Sequence, residues 1–368
     1  MEKVSAFLRR KDIVFSPKRY FIDAMSAMAQ GLFCTLLVGT ILNTLGTQLH
    51  IGFLTDIIVT LGKGDGAVGY TIGGLCSAMV GPGMAVAIGQ ALNAPPMVLF
   101  SLIPVGFATN AMGGAGGPLA VLFVAIIAAE IGKAVSKETK IDILVTPIVT
   151  ILSGIGAAAL IAAPIGTAAS AVGKAIMWAT ELQPFFMGII VSVVIGIALT
   201  LPISSAAICA ALGLTGLAGG AAVAGCCAQM VGFAVMSFRE NRWGGLAAQG
   251  LGTSMLQMGN IVRNPRIWIP PTLASAITGP IATCIFRMEM NGAAVSSGMG
   301  TCGLVGQIGV YTGWLADIEA GTKAAITATD WLGLVLICFV LPAILSWLIA
   351  LPLRNRGWIG ENDLKLDL

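Results

Sequence analysis

The sequence predicts an all-α protein that crosses a lipid bilayer many times, and three observations carry that reading. Hydrophobic residues fill 57% of the 368 positions and charged ones 10%. A soluble domain is about one quarter charged, so this chain has too little charge to cover a water-facing surface of its size. Apolar runs of about 20 residues, the length that spans a bilayer, recur along the chain, and basic residues gather in alternate connections between them. Glycine contributes 48 residues, and small residues let membrane helices approach closely and tolerate interrupted backbone. Together these predict about ten spans and two further segments that enter the bilayer and turn back. The net charge of +3 gives no sign of a nucleic-acid partner.

The elements follow in order. Residues 1–20 hold Lys3, Arg9, Arg10, Lys11, Lys18 and Arg19, which by the positive-inside rule places them in the cytoplasm. They read as a basic anchor rather than a cleavable signal, because the apolar run that follows is too long for a signal core. The first span covers about 21–45. Residues 46–65 are more polar, with His50, Asp56, Lys63 and Asp65, and a second span follows at 66–92. Segment 97–132 is too long for one helix and is interrupted by Gly113-Gly114-Ala115-Gly116-Gly117-Pro118, so it reads as two short spans. A loop with Lys133, Lys137 and Lys140 leads to a span at 141–163.

Residues 164–181 read as an interfacial amphipathic connector, with Lys174 and Glu181 beside Ile176, Met177 and Trp178. A span at 183–203 and a short pair within 206–238 follow, closed by Arg239, Glu240 and Arg242. Further spans lie at 267–286 and 331–353, and Arg354 and Arg356 begin the tail at 354–368. Both termini are expected in the cytoplasm of a bacterial-type inner membrane.

Two stretches break the pattern. Residues 243–262 and 290–312 are too rich in Gly, Ser, Thr and amides for a lipid-facing helix. Irregular backbone at membrane depth survives only where it is buried in protein or lines a wet cavity, so these stretches locate the candidate site. The first offers Gln249, Thr253, Ser254, Gln257 and Asn260 and runs on to Asn264-Pro265. The second offers Asn291, Ser296, Ser297, Thr301 and Gln307. Neutral donors and acceptors suit a hydroxylated or amide-bearing solute better than a bare ion; the plainer alternative is that they only bond neighbouring helices. Glu289, two residues from Arg287 at a span end, reads as half of an interfacial ion pair or as a functional acid. The eight cysteines all lie in apolar stretches and read as packing residues, and His50 is the only histidine. No disulfide framework, metal site or cofactor is indicated.

The order of segments is similar to that of the membrane IIC component of bacterial sugar phosphotransferase systems (PTS), glucose superfamily. Gly252-Thr253-Ser254-Met255, then Asn264-Pro265 and Ile269-Pro270-Pro271, resembles that family's glutamate-proline hairpin with its downstream Asn-Pro and Ile-Pro. Asn291 to Gly303, with Ser296-Ser297-Gly298, resembles its later hairpin. More narrowly, the chain resembles the branch that includes the perfringolysin O regulator proteins. The resemblance implies an elevator-type permease with an N-terminal scaffold half (21–163) that forms a homodimer and a C-terminal transport half (182–353). It also implies a sugar or similar small molecule as cargo and separate IIA and IIB proteins as partners.

The family's substrate-binding glutamate falls near Thr253 here, and its transport-half histidine has no counterpart. Phosphotransferase activity is therefore expected only together with a IIB protein that brings the phosphoryl group. A membrane sensor built on the same fold, or a transporter that uses no phosphoryl donor, are the alternatives.

Overall fold

The computed structural model describes residues 2–62, 67–180 and 182–366. Lys63, Asp65 and Glu181 lie outside the described residues, as do the side chains of Lys174, Ile176 and Met177. The chain is 79% helical with almost no sheet, which makes it an all-α polytopic membrane protein. Among the described residues, five helical stretches are long and apolar enough to cross a membrane, with the interrupted Pro96–Val135 counted as one, or six if one bent pair counts as a single span. The other expected spans are shorter helices, such as the 17 residues Pro184–Thr200, or pieces separated by breaks. Contacts divide the chain into two compact units, Met1–Ala168 and Ala169–Leu368.

In the first unit, α1 (Glu2–Arg10) precedes the long α2 (Lys18–Thr47). The polar stretch after it forms an antiparallel ladder of β1 (Val59–Leu61) and β2 (Val68–Tyr70), in register Val59↔Tyr70 and Leu61↔Val68. The expected span at 66–92 therefore starts late. It is a pair, α3 (Ile72–Ala78) and α4 (Val80–Ala91), bent by 53° at Met79. Pro82 explains the bend, because proline has no N–H for the carbonyl four residues earlier and its ring crowds that carbonyl.

The glycine-rich interruption behaves as the sequence suggests. Helix α5 (Pro96–Gly113) and α6 (Gly117–Val135) meet at a single 3-10 turn, where Gly114 has φ +51°. That conformation is open to glycine and costly for other residues. Helix α7 (Asp142–Thr180) then runs 39 residues, so 164–180 continues it without a break, through Pro164.

Polar contacts in this unit collect at the end that carries the basic anchor. Arg19 donates to Asp12 at 2.6 Å and to the Leu92 carbonyl at 2.6 Å. Lys133, almost fully buried, donates to the carbonyls of Asp12 and Leu92 and pairs with Glu130 at 3.1 Å. Lys11 and Arg10 both pair with Glu138. The Arg19 guanidinium, with help from Asn93, holds the Asp12 carboxyl down at about 2.

The second unit is built around α10 (Gly216–Met236), which is almost entirely buried. It packs against α8 (Pro184–Thr200), α13 (Ile269–Pro280) and α15 (Ala328–Asn355). The expected short pair within 206–238 is instead a two-turn helix, α9 (Ser205–Leu212), and this one long helix. Gly213, left-handed at φ +59°, ends α9. Gly219-Gly220 does not break α10; a Cβ on Gly220 would lie 1.7 Å from the Met288 carbonyl oxygen, so the glycine is there for close approach. Gly225 does the same against α8, where a Cβ would meet the Ser192 carbonyl oxygen at 1.9 Å.

The remaining helices are α11 (Phe238–Ala247), α12 (Met258–Arg263) and α14 (Val305–Glu319). Prolines open α8 and α13, where the missing N–H costs nothing. Thr327 and Asp330 form a reciprocal capping box at the start of α15.

Candidate functional site

Both irregular stretches of the sequence are interrupted backbone in the structure, and both lie against α10. The first break follows α11. The helix widens over Ala248–Gly252, Thr253 is fully extended (φ −156°, ψ 141°), and a 3-10 turn at Ser254–Gln257 leads into α12. Its backbone is satisfied locally, since Thr253 N–H donates to the Ala248 carbonyl and the Thr253 hydroxyl accepts from Met255 N–H.

The second break runs from the end of α13 to α14. Met290 exchanges two backbone bonds with Gly216, short 3-10 turns cover Ala294–Gly298 and Cys302–Leu304, and Gly300 sits against Cys226 with φ +54°. Residues 302–304 lie against 248–252, so the two breaks meet beside α10.

The site's anchor on α10 is Gln229, fully buried and the only carboxamide in that helix. Its carbonyl accepts from Trp268 Nε1 at 2.9 Å and from the Thr200 hydroxyl at 3.3 Å, and its amide donates to Thr272. Thr200 in turn shares a 2.8 Å bond with Ser254, which ties the first break to the helix. A buried polar group must find partners or lose about 1–3 kcal/mol, and each of these has found one.

The amides of the first break form a ladder. Gln249 donates to Ser237 Oγ at 2.8 Å and accepts from Gln257 at 2.9 Å, and Gln257 accepts from Asn260 at 2.8 Å. The ladder does not end in open space. Gln257 also donates to the Leu364 carbonyl, Asn260 to the Lys365 carbonyl, and Asn264 to the Trp358 carbonyl and the Asp363 carboxylate, all at 2.7–2.9 Å. The segment after α15 thus folds back onto 241–264.

In the second break, Ser297 donates to the Leu214 carbonyl at 2.6 Å, Thr301 reaches Met230 Sδ, and the Gln307 amide donates to Cys227 Sγ. The Gln307 carbonyl oxygen is buried without a partner. Ser296 is buried as well. Asn291 is joined to a different group: its amide donates to Glu289 at 3.1 Å and to Asp317 at 2.9 Å, while its carbonyl accepts from Gly216 N–H. Among the described residues no ion pair joins Arg287 to Glu289.

Of the eleven residues picked out in the sequence, Gln249, Gln257 and Asn260 share one ladder, Asn264 bonds the same C-terminal segment that the ladder meets, and Thr301 and Gln307 turn to Met230 and Cys227 on α10. Thr253 and Ser254 stand at the break, Ser296 and Ser297 lie in the facing one, and Asn291 is tied to the acidic pair. Sequence reasoning passed over Gln229, Thr200, Trp268 and Thr272. A lone amide inside a 21-residue apolar helix was the available signal, because a polar group there needs a partner. No ionisable side chain occurs in 243–262, so what the first break presents is neutral hydrogen-bonding chemistry suited to hydroxyl groups. Among the described residues, no group of three or more His, Cys, Asp or Glu side chains is placed to hold a metal ion.

Neither a curated protein nor a solved structure matches the chain. The sequence model of one family does, and its match runs over residues 22–366, from the first span to the segment that folds back on the first break. This near-complete match, on a polytopic helical chain, places the protein in the phosphotransferase system EIIC family, as a multi-pass membrane component of that system.

Proposed function

We propose that this chain is a IIC-type permease of a PEP-dependent phosphotransferase system and carries a sugar or similar polyol by alternating access. The observation that supports this best is the meeting of two backbone breaks beside α10, with neutral amides and hydroxyls on the first and no ionisable group in it. Cargo hydroxyls would bond Gln249, Thr253, Gln257 and Asn260 from one side and Ser296 and Ser297 from the other. The C-terminal half would carry cargo while the N-terminal half serves as a homodimeric scaffold, with both termini in the cytoplasm. The phosphoryl group would come from a separate phosphorylated IIB protein. A cargo hydroxyl oxygen forms the new O–P bond as the donor's S–P or N–P bond breaks, and the hydroxyl proton leaves to solvent.

The test is the double variant Thr253→Val with Gln257→Leu. Uptake should fall at least tenfold while expression and membrane insertion stay intact. Unchanged uptake would place cargo elsewhere. A sensor reading is favoured by one feature, the absence of any acid where the family carries its glutamate, and it predicts binding with no flux.

A further inference from the structure

The segment after α15 has no regular structure, yet it is anchored at both ends. Ile359 and Leu364 are almost fully buried, while Arg356, Glu361, Asn362 and Lys365 point to solvent. Its backbone bonds are all local, such as Ile359 N–H to the Leu353 carbonyl and Lys365 N–H to the Asn362 carbonyl. Every hydrogen bond that joins it to 241–264 runs through a carboxamide side chain of that stretch. Asn241 donates to the Leu364 carbonyl at 2.7 Å and accepts from Leu366 N–H, and Gln257, Asn260 and Asn264 supply the rest. Arg266 stacks over Trp358 at 5.3 Å.

The consequence falls on Gln257. One of its two N–H groups goes to Gln249 and the other to Leu364, so neither is free for a cargo hydroxyl. The same holds for the Asn260 amide, shared between Gln257 and Lys365. Amide-to-carbonyl bonds exchange readily for amide-to-hydroxyl bonds of similar strength, so the arrangement can be undone without unfolding the helices on either side.

We propose that residues 356–366 are an autoinhibitory strap: they occupy the amide edge of the first break and must leave before cargo reaches Gln257 and Asn260. The effect on transport rests on the permease reading above; the covering of the amides does not.

Two variants test it, Leu364→Asp, which puts a charge at the buried anchor, and Asn241→Ala, which removes two strap bonds outside the cargo ladder. Backbone hydrogen exchange over 254–263 in nanodiscs should quicken at least tenfold in Leu364→Asp and in the same direction in Asn241→Ala. Sugar uptake at sub-saturating concentration should rise at least threefold. Unchanged exchange overturns the strap. Faster exchange with lost uptake in both folded variants also overturns it, because the segment is then a support rather than a gate. If the wild-type protein moves no sugar at all, the permease reading fails separately. The strap is then decided by equilibrium binding of the same sugars, tighter in Leu364→Asp if it gates and equal or weaker if it does not.

Discussion

The two units use small and polar residues for different ends. In the first, buried hydroxyls bond their own helix: Thr109 donates to the Val105 carbonyl, Ser101 to Met97 and Thr150 to Thr146. In the second, most bond across elements, although Thr278 stays within its own helix. Ser192 donates to the Ser275 carbonyl, Thr200 meets Ser254, and Gln229 gathers Trp268, Thr200 and Thr272. Self-satisfied hydroxyls leave a helix free to pack as an apolar rod. Cross-linked ones hold broken backbone in place at depth, which is the condition irregular segments need inside a bilayer. The difference separates a unit whose hydroxyls are satisfied within single helices from one whose polar groups tie its elements together.

Close helix contact is the one device both units share, so breaking it should hurt both most. Gly81 in α4 faces the Gly106 carbonyl, with a Cβ position 2.2 Å from its oxygen, and Gly225 faces Ser192 in the same way. Gly81→Val and Gly225→Val should each cost about 3 kcal/mol or more, the upper end for overpacking, and abolish folded protein in detergent extracts. Gly156→Val, where a Cβ meets nothing within 4 Å, should leave the yield unchanged.

Gln229→Leu and Thr109→Val should then pull the units apart. The first orphans the Trp268 Nε1 donor and takes one partner from Thr200, which keeps Ser254, and one from Thr272, which accepts the Gln229 amide; a donor left unpaired away from water costs about 1–3 kcal/mol. The second removes a bond within one helix and should cost about 1 kcal/mol or less. Thermal melting in detergent checks the pair, and equal shifts would erase the distinction.

The smallest effect is in pH. Asp12 has its pKa lowered to about 2 by the Arg19 hydrogen bond. A depressed carboxyl pKa adds stability that is complete above the unfolded value of about 3.9 and is lost as pH falls toward 2. Measured against the intrinsic exchange rate at each pH, the 2–20 segment should therefore lose amide protection between pH 4 and 2, and Asp12→Asn should remove that dependence.

Much of this was legible in advance where the chemistry is local. Composition alone excludes a soluble domain, and the Gly-Gly-Ala-Gly-Gly-Pro run at 113–118 marks a break because glycine and proline act on their own backbone. The polar stretch at 243–262 announces its break in the same way. Gly219-Gly220 reads identically in sequence but packs instead of bending, since only the Met288 carbonyl, brought in from 68 residues away by the bridge at Gly216 and Met290, decides its role. The strap was invisible for the same reason. Residues 356–366 carry no periodicity, and the amides that hold them lie about 100 positions earlier.

On the proposed reading, the polar breaks of the second unit serve a donor-coupled sugar permease. Uptake of a radiolabelled sugar panel into inside-out and right-side-out membrane vesicles, with and without the general phosphotransferase proteins and candidate IIB partners, tests it most directly. A donor-coupled permease yields a phosphosugar that accumulates only when the donor is present. Equilibration of free sugar, or binding without flux, would contradict it.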